Sequence, residues 1–207
     1  MGAAAGYDDD HGAGEEGGLT MVIHETALVR QMKAAYKDGG YIVACRRETT
    51  AIMSSTWITE VQNEHLPREA LGLIAQHLGF LPEEGEAYRT LKGEDEPSVQ
   101  TMLFDTAIRP MAALEAALAD QANAPRVELR KTLLTFDGWN LWQKRGNGGM
   151  VLVDPELESI FRKKDDVILI EDGLYKQGLF SRAFIMPGRD EKHQRELDHL
   201  GKIFWVE

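Results

Sequence analysis

The sequence predicts an α+β fold in which antiparallel β-hairpins carry short amphipathic helices packed on one face. Three observations predict it. Apolar residues recur at helical spacing only in short segments, most of them opened by proline or ended by glycine. Between these segments lie runs rich in β-branched and aromatic residues. Those runs are often joined by short turns, whereas a parallel sheet needs long crossovers.

Met1 to Thr20 is Gly, Ala, Asp and Glu with almost nothing to bury, and is predicted to be a disordered acidic tail. From Glu25 to Lys37 the residues Ala27, Leu28, Met32, Ala35 and Tyr36 recur at steps of three and four, and Gly39-Gly40 ends the pattern, which predicts a helix. Tyr41–Arg46 and Met53–Val61 read as the strands of a hairpin joined by a polar link. Leu66-Pro67-Arg68-Glu69 opens a second helix with the apolar face Leu71, Ile74, Ala75 and Leu78, stopped by Gly79. Strands are expected at Ala87–Leu91 and Val99–Phe104, a helix at Met111–Ala119 and a linker at Gln121–Pro125.

Three more strands, Val127–Phe136, Trp139–Lys144 and Met150–Val153, are separated by Asp137-Gly138 and by Gly146-Asn147-Gly148-Gly149, residues that tolerate positive φ. Asp154-Pro155-Glu156 starts a helix, with Leu157, Ile160 and Phe161 as its buried stripe and Arg162-Lys163-Lys164 at its C-terminal end. Val167–Ile170 and Leu179–Met186 are the last strands, before a charged segment and Ile203-Phe204-Trp205-Val206.

Charge divides the chain. The first 125 residues carry 20 Asp and Glu against 9 Lys and Arg, whereas residues 126–207 balance at 14 of each. The predicted organisation is therefore a tail (1–20), an acidic α+β half (21–122) and a charge-balanced β-rich half (123–207), the two halves packed as one body. Five of the 11 excess negative charges lie in the tail, so the body itself is acidic. Cys45 is the one cysteine, which rules out an internal disulfide and predicts a cytoplasmic protein. The first 20 residues have no basic and apolar leader pattern, and no apolar run is long enough to cross a bilayer, so neither classical export nor a membrane span is expected.

No nucleophile triad, phosphate-binding glycine loop or closed metal-ligand set is present in the sequence. The expectation is a protein without catalytic residues, metal or cofactor. The acidic stretch with Glu83, Glu84, Glu86, Glu94, Asp95 and Glu96 is the candidate partner-binding site, its carboxylates standing in for phosphates on a basic surface. Its bland alternative is a solvated loop. His193 and His199 flank Glu196 and Asp198, but a six-residue separation places the rings apart around a helix, and zinc is not expected there. His24, His65 and His77 are expected at the surface or core edge. Cys45 is expected to be a buried structural cysteine, with Arg46 on the opposite face of its strand. Phe136, Trp139 and Trp142 beside Lys144 and Arg145 match base stacking, although the hairpin pattern sends part of that set into the core.

Three segments carry a resemblance. They are Ile23–Tyr36 followed by Gly39-Gly40-Tyr41, then Leu66–His77, then Val153-Asp154-Pro155-Glu156-Leu157. Together they resemble a group of proteins of this size from phages and mobile elements of gut Gram-positive bacteria, over roughly Met21 to Pro187. One branch of that group comprises type II-A anti-CRISPR proteins that inhibit Cas9. The resemblance implies an inhibitor that binds the Cas9–guide RNA complex and blocks target DNA binding or cleavage. It transfers no site residue, because the matching motifs are helix starts and core faces. Cas9-type effectors hold nucleic acid in positively charged channels, to which an acidic protein is steered. The other reading is a DNA-binding accessory protein of a mobile element, which needs Arg130, Lys131, Lys144, Arg145, Arg162, Lys163 and Lys164 to converge on duplex DNA.

Overall fold

The helix expected at Glu25–Lys37 forms over those residues as α1, burying Ala27, Leu28, Met32 and Ala35. The chain leaves it through Gly39 and Gly40, both at positive φ, and a Cβ on Gly40 would lie 2.6 Å from the Thr90 carbonyl oxygen. α2 (Arg68–Leu78) follows Pro67 and ends at Gly79, whose left-handed backbone lets its N–H reach the Ala75 carbonyl. The structure, a computed structural model, describes residues 21–99, 126–146, 148–170, 173–188 and 194–203. The acidic tail, the helix expected at 111–119 and the linker at 121–125 lie outside them, as does most of the strand expected at 99–104.

Three strands stand where two were expected. β1 (Tyr41–Cys45), β2 (Thr49–Met53) and β3 (Trp57–Gln62) form a meander. Thr49–Met53 had been assigned to the link and to the start of the next strand. The misreading has a physical origin: Ser54-Ser55-Thr56 turns the chain without glycine or proline, using a Ser54 N–H to Trp57 carbonyl bond of 2.9 Å and the Ser54 hydroxyl as acceptor from the Thr56 N–H. β4 (Ala87–Thr90) and β5 (Ser98–Val99) follow.

The second run begins with β6 (Arg126–Phe136), β7 (Trp139–Lys144) and β8 (Met150–Val153), close to the expected bounds. Asp137 and Gly138 both take positive φ in the β6–β7 turn. Asp154 caps α3 (Pro155–Glu158) by accepting from the Glu156 N–H at 2.7 Å. That helix is a single turn, so Arg162, Lys163 and Lys164 lie in the loop beyond it and not at its C-terminal end, as had been expected. β9 (Ile168–Ile170), β10 (Gly173–Gln177), β11 (Ser181–Ile185) and α4 (Gln194–Ile203) complete the chain. β10 had no counterpart in the sequence reading.

Among the described residues the eleven strands join one antiparallel sheet in the order β5-β4-β1-β2-β3-β11-β10-β9-β6-β7-β8. Among the described residues four helices accompany it, so the protein is richer in strand than the hairpin-and-helix expectation. The order contains a repeat. β1 to β5 occupy positions 5-4-1-2-3, and β6 to β10 occupy 10-9-6-7-8, with a helix after the third strand of each set. Because every pairing is antiparallel, corresponding strands also run in the same direction. β11 closes the seam by pairing with β3, from Ile185 opposite Trp57 to Ser181 opposite Val61.

The second unit is rolled. Ile185 ends β11, yet Gly188 pairs with Leu152 of β8, donating to its carbonyl at 2.9 Å. Three residues reach roughly 10 Å, whereas five strand spacings in a flat sheet measure roughly 24 Å. The bend lies at β6, which pairs with β9 through residues 126–128 and with β7 from Leu129 onward.

One face of the sheet and the first three helices share the main core, including Leu28, Met32, Trp57, Ile74, Trp142, Val153, Leu157, Ile160 and Phe161. The expectation of helices on one face fails for α4. Its Leu197 packs against Leu141, Met150 and Leu152, which alternate with the core-facing Trp142, Val151 and Val153. A strand with every residue buried, as in Met150–Val153, needs cover on both faces. The residues just before α1 bind the units together: the His24 N–H donates to the Ile160 carbonyl and the Arg162 N–H to the Val22 carbonyl, both at 2.8 Å.

Candidate functional site

The six acidic candidates gather around β4, but not as one uninterrupted patch. Glu83, Glu84 and Glu86 precede the strand and Glu94, Asp95 and Glu96 follow it. Glu86 accepts from the Glu83 N–H at 2.8 Å and from the Tyr88 hydroxyl at 3.3 Å, and Glu94 pairs with Arg89 at 3.0 Å. Glu83, Glu84, Asp95 and Glu96 are exposed, the first two in the segment that leads into β4 and the other two in the link between β4 and β5.

Four of the seven cationic candidates do converge. Arg130, Lys131, Arg145 and Lys164 line a groove of about 730 Å³ at the β6–β9 fork, whereas Lys144, Arg162 and Lys163 do not line it. Glu128, Asp165 and Asp166 share the groove, and Arg145 pairs with Glu128. Lys131 and Lys164 are committed to Glu158, at 2.5 and 2.8 Å from its Oε1. Glu158 is only 1 % exposed. Its Oε2 accepts from the Asn140 amide and from the Trp142 indole N–H, the latter at 3.3 Å. Burial alone would raise the pKa of this carboxyl, but the donors from Lys131, Lys164 and Asn140 prevail and hold it below the usual carboxylate range.

Lys176 anchors the same loop from the other side. Its buried ammonium donates to the carbonyls of Lys163, at 3.1 Å, and Asp165. Burial pushes its pKa down, while Asp165 and Asp166 partly oppose that shift. At the seam, buried Glu60 takes a two-pronged bond from Arg182, with Nε at 2.5 Å, and accepts from the Thr49 hydroxyl at 2.6 Å. Arg46 approaches it at 3.8 Å, while Cys45 faces the α2 side with Val43 and Ile74. Sequence reasoning missed Glu158, Glu60, Lys176 and Arg182. The available signal was weak: charged residues at inward positions of otherwise apolar strands, as in Ile58-Thr59-Glu60-Val61.

The remaining candidates resolve into packing. Trp142 is fully buried, and Phe136 and Trp139 lie half-buried, packed against the cluster of Leu141, Met150 and Leu152. His77 stacks on Tyr36 with ring centres 3.7 Å apart and bonds through Nδ1 to the Tyr41 hydroxyl at 2.9 Å. Burial lowers the His77 pKa and raises that of Tyr41. His65 packs on Phe180, and His24 and His199 are exposed, while His193 lies outside the described residues. Cys45 is half-buried, not buried, and lines a cavity of about 170 Å³ beneath α2. Among the described residues no three or more of His, Cys, Asp and Glu are grouped to hold a metal ion, and no helix is long and apolar enough to cross a membrane.

No protein-family model matches this sequence, and comparison with curated proteins finds no significant match.

Proposed function

We propose that this chain is a non-catalytic binding protein of the cytoplasm whose exposed carboxylates around β4 occupy a basic, nucleic-acid-binding surface of a partner. The observation that carries this reading is the set Glu83, Glu84, Asp95 and Glu96, exposed before and after β4 in the acidic half of the chain. Carboxylates there would compete with phosphates for lysine and arginine, with salt weakening the attraction. The partner proposed is the Cas9–guide RNA complex, whose target DNA binding or cleavage would be blocked, a choice that rests on the phage and mobile-element resemblance of the three motif segments.

Co-elution with Cas9, with and without guide RNA, tests it together with target cleavage across a salt series. Stable co-elution, loss of cleavage at low salt and relief by Glu83→Lys/Glu84→Lys/Asp95→Lys/Glu96→Lys support the proposal. Unchanged cleavage at micromolar excess and low salt ends it.

The convergence of Arg130, Lys131, Arg145 and Lys164 in one groove favours a second reading, direct binding of duplex DNA. The carboxylates of Glu128, Asp165 and Asp166 in the same groove repel phosphate and weigh against it. Retention of labelled duplex by the full chain, lost in Arg130→Ala/Arg145→Ala, would establish that reading in place of the first.

A further inference from the structure

We propose that the cavity beneath α2 binds one small, uncharged, apolar molecule of the bulk of an alkylbenzene. The cavity lies between β1, the start of β2, α2 and the link that leads from α2 into β4. Val43, Leu66, Leu71, Ile74, Leu81 and Pro82 form its apolar walls around about 170 Å³. An apolar cavity of about 150 Å³ stays dry and takes benzene. Leu71 is half-buried and Leu81 is 52 % exposed where the cavity opens, so a ligand can enter from solvent.

The polar side chains in the wall select against a polar occupant. The Thr50 hydroxyl donates to Asn63 Oδ1 at 2.8 Å, and the Asn63 amide donates to the carbonyls of Arg46 and Arg47, both at 3.3 Å. The Cys45 thiol faces the Arg46 carbonyl at 3.8 Å. Every side-chain donor in the wall is thus engaged within the protein, and a polar ligand would give up hydrogen bonds to water that the wall cannot return. No charged side chain lines the cavity. Arg46 and Arg47 flank it in the chain on one side and Glu83 and Glu84 on the other, so charge favours neither an anion nor a cation.

The repeated strand order gives a second reason to read a site here. β6 is the counterpart of β1, and the link before β9 is the counterpart of the link before β4. Between β6 and that link lies the groove bordered by Lys131, Lys164 and Asp165. The connectivity therefore leaves a recess at the same place in both units, and the side chains decide its chemistry: ionic in the second, uncharged and apolar in the first. A concave, mostly apolar recess with few polar groups is the form that small-molecule sites take.

Titration of the full chain with toluene, followed through its methyl NMR signals, tests the proposal. The expected result is a saturable shift of the Val43, Leu71, Ile74 and Leu81 methyls, with those of exposed Leu133 and Leu179 unmoved. Benzoate, which carries the same ring with a charge, should give no saturable shift. Cys45→Leu fills part of the cavity and should weaken toluene binding by at least about tenfold, with circular dichroism confirming its fold. Should that variant fail to fold, alkylation of Cys45 by iodoacetamide in the natural chain replaces it: toluene should slow the reaction to a plateau, and benzoate should not. No saturable shift up to the solubility limit of toluene, equal shifts at Leu133, benzoate bound in the same cavity, or toluene bound equally by folded Cys45→Leu overturns the proposal.

Discussion

The units β1–β5 and β6–β10 share one topology but fasten their crossovers differently. In the first, β1 is paired on both sides over the same residues, Ile42 to Ala44 meeting β2 and β4 together. Its crossover helix α2 lays Ala70, Leu73, Ile74 and Leu78 on the sheet. In the second, β6 changes partner partway along, the sheet forks, and the crossover shrinks to the single turn α3. One turn has too little apolar surface to cover a fork. Glu158 with Lys131 and Lys164, and Lys176 with the carbonyls of Lys163 and Asp165, fasten that loop instead. Connectivity is thus repeated, while the crossover of the second unit adds buried ion pairs to the apolar burial of Leu157, Ile160 and Phe161.

The largest expected effect is at Glu158. Glu158→Ala strands two lysines, the Asn140 amide and the Trp142 indole, and should cost about 3–5 kcal/mol at neutral pH in urea unfolding. The cost depends on pH. Because the folded-state pKa is depressed, the carboxylate's contribution is fully present above its unfolded value of about 4.3 and is lost as pH falls through the folded value. The gap between Glu158→Ala and the natural chain should therefore narrow in acid. A gap unchanged between pH 7 and the acid limit would show that Glu158 acts by packing.

Ile74→Ala in the first unit should cost about 2–4 kcal/mol, equally at neutral and acid pH, because only apolar contacts and cavity volume change. A strong pH dependence of that loss would erase the distinction between the units. Next in size is Gly173→Ala in β10, where a Cβ would lie 1.8 Å from the Phe184 ring; the overpacking should cost about 1–3 kcal/mol, read as a lowered midpoint of thermal unfolding. Smallest is Gly72→Ala on the exposed side of α2. Nothing lies within 4 Å of the added methyl, and the variant should gain about 0.5–1 kcal/mol.

Legibility followed the range of the forces involved. α1 was readable to its ends because its apolar spacing and the Gly39-Gly40 stop are local. The Asp137-Gly138 turn and the Asp154 cap were readable for the same reason: a positive φ or a capping carboxylate acts on adjacent residues. Thr49–Met53 was misassigned because a serine side chain, a weaker signal than glycine or proline, makes the following turn. The length of α3 was misjudged because Ile160 and Phe161, buried as expected, are fixed by tertiary contact after the helix has already stopped. Around the candidate sites, Glu83, Glu84, Asp95 and Glu96 are exposed, which suits the partner-binding reading and the solvated loop alike. The destinations of Lys131, Arg145 and Lys164 were not legible, since their partners Glu158 and Glu128 are brought close by pairing across strands.

By itself the sequence determined the bounds of α1 and α2, the approximate places of most strands, that the strands pair largely through short turns, and that negative charge is concentrated in the first part of the chain. Each of these depends on residues within a few positions of one another. The tertiary structure alone decided the repeated strand order, the fork at β6, the seam between β3 and β11 and the two buried carboxylates. Those depend on which strand edge meets which across the whole chain, and a lysine carries no mark in its own neighbourhood of the glutamate it will meet.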